Sequence, residues 1–79
     1  GVKEDKKEAV KCFKTAAEKC NSGVAYHNLG ICYENGFGVR KDYKKAIEMY
    51  GKAVGNGEKA GLEGIKNVYL KMGEDKSKL

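Results

Sequence analysis

His27 is the only histidine of the chain, and Cys12, Cys20 and Cys32 are its only thiols. A Cys–His pair makes a thiolate nucleophile only when the two side chains are in hydrogen-bond contact. Cys32 follows His27 by five residues, ~140° around a helix, so the two do not share a face. The series Cys12, Cys20, His27, Cys32 also lacks the paired spacing of zinc sites. Gly36-Phe37-Gly38 has no preceding strand and no third glycine, so it reads as a helix-ending turn rather than a phosphate-binding loop. No pair of carboxylates suggests a catalytic pocket. These residues argue against an enzyme, a metal site or a cofactor. An odd number of cysteines without regular spacing argues against a disulfide framework and for a reducing compartment. Cys12 and Cys20 stand ~12 Å apart along one helix, beyond disulfide reach, and the thiols read as small buried hydrophobes.

The elements that carry these residues belong to a chain of 79 residues, 41% hydrophobic and 34% charged. That suits one small domain. No apolar run approaches the ~18 residues of a membrane-spanning helix, and no leader pattern opens the chain, so membrane insertion is not expected. Gly1 stands where an initiator Met would, which suits a processed or excised segment. The net charge is +5, almost all of it lysine, with Arg40 the only arginine. Residues 1–37 carry six lysines against five acids, and residues 38–79 ten basic residues against six acids. The basic second half opens an alternative function, association with nucleic acid. Clustered arginines and aromatic stacking platforms are missing, so nucleic acid is the less favoured partner.

An internal repeat organises the chain. Shifting residues 1–17 forward by 37 aligns Gly1/Gly38, Val2/Val39, Asp5/Asp42, Lys7/Lys44, Ala9/Ala46 and Ala16/Ala53. Val10/Ile47, Cys12/Met49, Phe13/Tyr50 and Ala17/Val54 keep their hydrophobic character. Beyond the next loop the offset becomes 36, pairing Ala25/Gly61, Leu29/Ile65 and Tyr33/Tyr69.

The periodicity predicts helices over 5–19, 24–35, 42–55 and 58–72. The first and third carry apolar stripes on Ala9, Val10, Cys12, Phe13, Ala16 and Ala17, and on Tyr43, Ala46, Ile47, Met49, Tyr50, Ala53 and Val54. The second and fourth carry Tyr26, Leu29, Gly30 and Tyr33, then Leu62, Ile65 and Tyr69. Asp5 and Asp42 are placed to cap the first and third helices, and Glu8 completes a capping box with Asp5. Gly51, Gly61 and Gly64 fall inside helices at ~1 kcal/mol each relative to Ala, a cost that suggests close helix packing for some of them, with an exposed Gly51 simply tolerated. The fold class is therefore all-α: about four antiparallel helices in a single domain, with short connections. The domain divides into a half-unit 1–20, a full repeat 24–57, a degenerate half-unit 58–72 and a tail 73–79.

Ala25, Leu29, Gly30, Tyr33, Gly36, Gly38, Val39, Asp42, Lys45, Ala46, Met49, Tyr50, Lys52, Ala53, Val54 and Gly57 stand in the order and spacing of a known pattern. In these residues the chain resembles the Sel-1-like repeat family, relatives of the tetratricopeptide repeat. The resemblance covers the middle of the chain without a gap. Residues 1–19 repeat its second half, and 58–70 repeat its first half more loosely. Cys20 stands where the family prefers Gly, Gly61 replaces an Ala, and Lys66 replaces the Gly after Ile65. No Gly-Val pair follows Tyr69, so the last copy looks degenerate, as at the end of a stack. The cysteine-rich bacterial branch has Cys where this chain has Ala17 and Ala25, so its disulfides and secreted location do not carry over.

The resemblance implies an α/α superhelix of helix-turn-helix repeats, here a fragment of a solenoid and the C-terminal piece of a longer one. Its members are implied to be non-catalytic scaffolds and adaptors. By analogy with tetratricopeptide arrays, the helices bearing the Leu29-Gly30-Tyr33 pattern line the concave groove. Val24, His27, Ile31 and Glu34 would face it, and the 36-residue offset adds Ala60, Glu63, Asn67 and Leu70. This groove would bind a protein or peptide segment. Further repeats of a parent chain, or a second copy, would cover exposed end helices. Ser77-Lys78-Leu79 matches a peroxisomal address if Leu79 is a natural C-terminus.

Overall fold

A computed structural model describes the backbone of residues 2–77 and the side-chain surroundings of residues 5–74. Among these residues the architecture is four helices: α1 (Val2–Cys20), α2 (Gly23–Asn35), α3 (Tyr43–Gly55) and α4 (Ala60–Ser77). Side-chain chemistry explains the boundaries. Ser22 precedes α2 in extended conformation, and its hydroxyl accepts the Ala25 N–H at 3.2 Å. Asp42 does the same for α3, its carboxylate accepting the Lys45 N–H at 3.1 Å; each satisfies one of the donors a helix start leaves unpaired. Gly36 ends α2 with φ 70°, a left-handed turn that glycine adopts freely, and its N–H returns to the Cys32 carbonyl.

The caps expected on the first helix are not used. α1 already begins at Val2, so Asp5 lies inside it, and Glu8 pairs instead with Lys11 at 3.7 Å on an exposed face. At the other end α4 continues to Ser77, so residues 73–77, expected as tail, are helical. Gly1, Lys78 and Leu79 lie outside the described residues.

The Cα atoms fill a plate of 39 × 34 × 14 Å. α2 is its centre: α1, α3 and α4 all pack on it, and α3 also packs on α4. The α1 backbone approaches neither α3 nor α4. Two clusters share the interior. Val10 and Ala17 of α1 meet Ala25, Leu29 and Cys32 of α2 in the first. Tyr33 of α2, Ala46 and Tyr50 of α3, and Val68 of α4 form the second. Each large aliphatic side chain so buried contributes roughly 1.5–3 kcal/mol. Ala17, Ala46 and Ala53 are fully covered, which lets neighbouring helices approach closely.

Four expected burials fail. Leu62 and Tyr69 are 55% and 58% exposed, and Val68 points inward in their place. No described element packs on that side of α4. Cys12 and Cys20 are exposed, and only Cys32 is buried. Cys12 occupies the repeat position of Met49, which packs back onto the α1–α2 cluster; before α1 there is no described helix for Cys12 to meet.

Candidate functional site

The α2/α4 surface is organised by Tyr50 of α3. Its ring lies between Gly30 and Gly64, where an added Cβ would stand 2.6 Å and 2.5 Å from ring atoms. Only glycine leaves this slot open. The Tyr50 hydroxyl donates to Glu34 Oε1 at 2.6 Å, and Lys71 of α4 donates to Glu34 Oε2 at 2.7 Å. Lys71 also reaches Asn35 Oδ1 at 3.4 Å. One carboxylate on α2 thus ties α3 and α4 together. Burial, and then the hydrogen bond and charge of Glu34, push the Tyr50 phenol well above its ordinary pKa. The hydrogen bond to Glu34 raises Lys71 as well.

This geometry corrects the placement of Glu34. It was expected to face the groove, yet it is 8% exposed and engaged by two partners, as a buried carboxylate must be. His27 is half-buried, its ring 5.4 Å from that of Tyr50. Val24 and Ile31 of α2 are exposed, and so are Ala60, Glu63, Asn67 and Leu70 of α4. The packing of α2 on α4 therefore brings exposed aliphatic groups and a polar rim onto neighbouring helices. The Glu34–Tyr50–Lys71 network was missed from sequence, because its members are scattered along the chain. The signal available was a pair of helix-interior glycines flanking an aromatic position.

The remaining chemistry-bearing residues do not converge. Cys32 sits in the first cluster, where burial pushes its thiol pKa up and so away from reactivity. Among the described residues no three of His, Cys, Asp or Glu come together as metal ligands. No described helix is long and apolar enough to cross a membrane.

Antiparallel helix pairs related by a sequence repeat, stacked so that each pair covers the last, define a helical-repeat protein of the solenoid class. The Sel1 repeat family model matches residues 1–19 and 23–58, and the chain belongs to that family, whose repeats are non-enzymatic modules that mediate protein–protein interaction. It is also similar to DAP3-binding cell death enhancer 1 of Rattus norvegicus, 35% identical over 65 residues, which is 82% of this chain and 13% of that protein. The Mus musculus protein of the same name is 32% identical over 65 residues, again 82% of this chain and 12% of that protein. The chain thus spans a small fraction of the curated relatives it matches. No solved structure matches it significantly.

Proposed function

We propose that the chain is a non-catalytic adaptor module that receives a peptide or partner helix on the α2/α4 surface. Val24, Ile31 and Leu70 supply the apolar contact, and His27, Glu63 and Asn67 the polar margin. Glu34 serves this surface indirectly, by holding α3 and α4 against α2. The observation that carries the reading is the exposure of large aliphatic groups, Leu70 at 67% above all, on two helices packed side by side. Relatives named for binding another protein support a macromolecular partner. Leu62 and Tyr69, on the open side of α4, support contact with a further repeat or a second copy. Free, exposed Cys12 and Cys20 support a reducing compartment.

The test compares the immobilised chain with its Ile31→Asp/Leu70→Asp variant in capture of partner proteins, with circular dichroism as the folding control. Both positions are exposed, so helicity should be retained while capture is lost. Undiminished capture by the variant refutes the assignment of this surface.

A further inference from the structure

Tyr26, Leu29 and Tyr33 point ~200° around α2 from Val24 and Ile31, toward the side where α1 and α3 diverge. There they floor a cleft of about 230 Å3. Lys14 and Glu18 of α1 stand on one wall, and Lys45 and Lys52 of α3 on the other. Small-molecule pockets run to roughly 300–1,000 Å3, so this one is sized for a side chain or two of a docked polypeptide rather than a cofactor.

Its charge and spacing specify more. The Lys45 ammonium lies 5.7 Å from the centroid of the Tyr33 ring, and that of Lys52 lies 5.7 Å from the Tyr26 ring. Among the described residues neither lysine is paired with a carboxylate. Tyr26 and Tyr33 are two helical turns apart, ~10 Å, so the two cations bracket the aromatic floor from its ends. Lys14 adds a third positive charge against the single Glu18. An ammonium over a ring face exchanges readily for a carboxylate, because charge-assisted hydrogen bonds are the stronger contact.

We propose that this cleft is a second docking site, distinct from the α2/α4 surface, and that its occupant is an extended acidic segment of a partner protein. In an extended chain alternate side chains share a face at ~7 Å intervals. The sequence acid–x–apolar–x–acid then seats its central side chain on Leu29 between the two tyrosines. Its outer carboxylates, ~13 Å apart, meet Lys45 and Lys52 through the flexible stems on both sides.

The test uses the folded chain and three capped pentapeptides, ESLSE, KSLSK and ESSSE, titrated by NMR. The acidic peptide with the leucine should give saturable shifts at Tyr26, Tyr33, Lys45 and Lys52, weakening as salt is raised. KSLSK should give none. ESSSE should bind at least severalfold more weakly, having lost its anchor. Lys45→Gln/Lys52→Gln, two exposed positions, should reduce affinity about tenfold, the effect of losing two surface charge contacts. Ile31→Asp/Leu70→Asp should leave this binding unchanged, so the two surfaces fail or succeed separately. The proposal is overturned if ESLSE gives no saturable shift, if KSLSK or ESSSE binds equally well, or if the double lysine variant binds as the parent does. It is equally overturned if a single-stranded oligonucleotide binds the same lysines more tightly than ESLSE, which would make the cleft part of a general polyanion surface. The peptide series runs on the parent chain alone, so it decides the matter whether or not any variant folds.

Discussion

α2 and α4 carry the same pattern at a 36-residue offset, yet they live in different surroundings. α2 is gripped by α1, α3 and α4, whereas α4 is met by α3 and by α2 and is open beyond. Tyr33 is 8% exposed and its counterpart Tyr69 is 58% exposed. Cys32 and its counterpart Val68 are both buried, because that position faces back toward the preceding helices, which exist in both cases. The comparison separates what a residue offers from what a neighbour accepts: a stripe says which side of a helix seeks cover, and only the next element decides whether it finds it.

Substituting the paired tyrosines attacks this contrast most directly. Tyr33→Ala should cost about 3 kcal/mol, through lost transfer energy and a cavity in the second cluster. Tyr69→Ala should change stability by no more than about 0.5 kcal/mol. Equal losses in chemical denaturation would mean that the open side of α4 is covered in solution. Within α4, Gly64→Ala sharpens the same contrast. Its methyl would meet the Tyr50 ring at 2.5 Å, so crowding should outweigh the gain in helix propensity and destabilise by about 1–2 kcal/mol. Gly73 has nothing within 4 Å, and Gly73→Ala should stabilise by up to ~1 kcal/mol. Opposite signs in thermal melts support the slot, and a neutral Gly64→Ala would count against it.

Tyr50→Phe tests the network that joins the two helices, at a cost of about 1–2 kcal/mol from a carboxylate left with one partner fewer. Its pH dependence has a definite sign. Tyr50 and Lys71 both have folded pKa values above their ordinary ones near 10. The folded chain holds these protons longer than the unfolded one, so their stabilisation is complete below about pH 10 and drains away as pH rises further. The stability gap between the parent and Tyr50→Phe should therefore narrow above pH 10. A gap constant from pH 7 to pH 12 would show that the phenol proton is not held by the fold.

The helices, their order and their turns were legible in the sequence because the repeat displays each element twice, in two contexts. Asp42 and Gly36 announced their roles by residue type alone. Asp5 misled because a cap depends on where the helix actually starts, and α1 extends past it. Of the candidate site, Val24, Ile31, Glu63, Asn67 and Leu70 are exposed, as their helical positions suggested. Glu34 shares that arc, yet it turns inward. A charge is normally read as solvated, and nothing local to Glu34 reports that Tyr50 and Lys71 will arrive from two other helices to neutralise it. Cys12 was misread for the reason Tyr69 was: its repeat partner is sheltered by an element that Cys12 lacks.

α2 and α4 lie close on one side of the plate, while α1 and α3 stand apart on the other. Any array that repeats this step must wind, since each added pair turns through the same wedge. The outer gaps would then recur as evenly spaced notches along its rim, and a long, flexible tether could be read notch by notch, gaining avidity from several weak grips rather than one strong one.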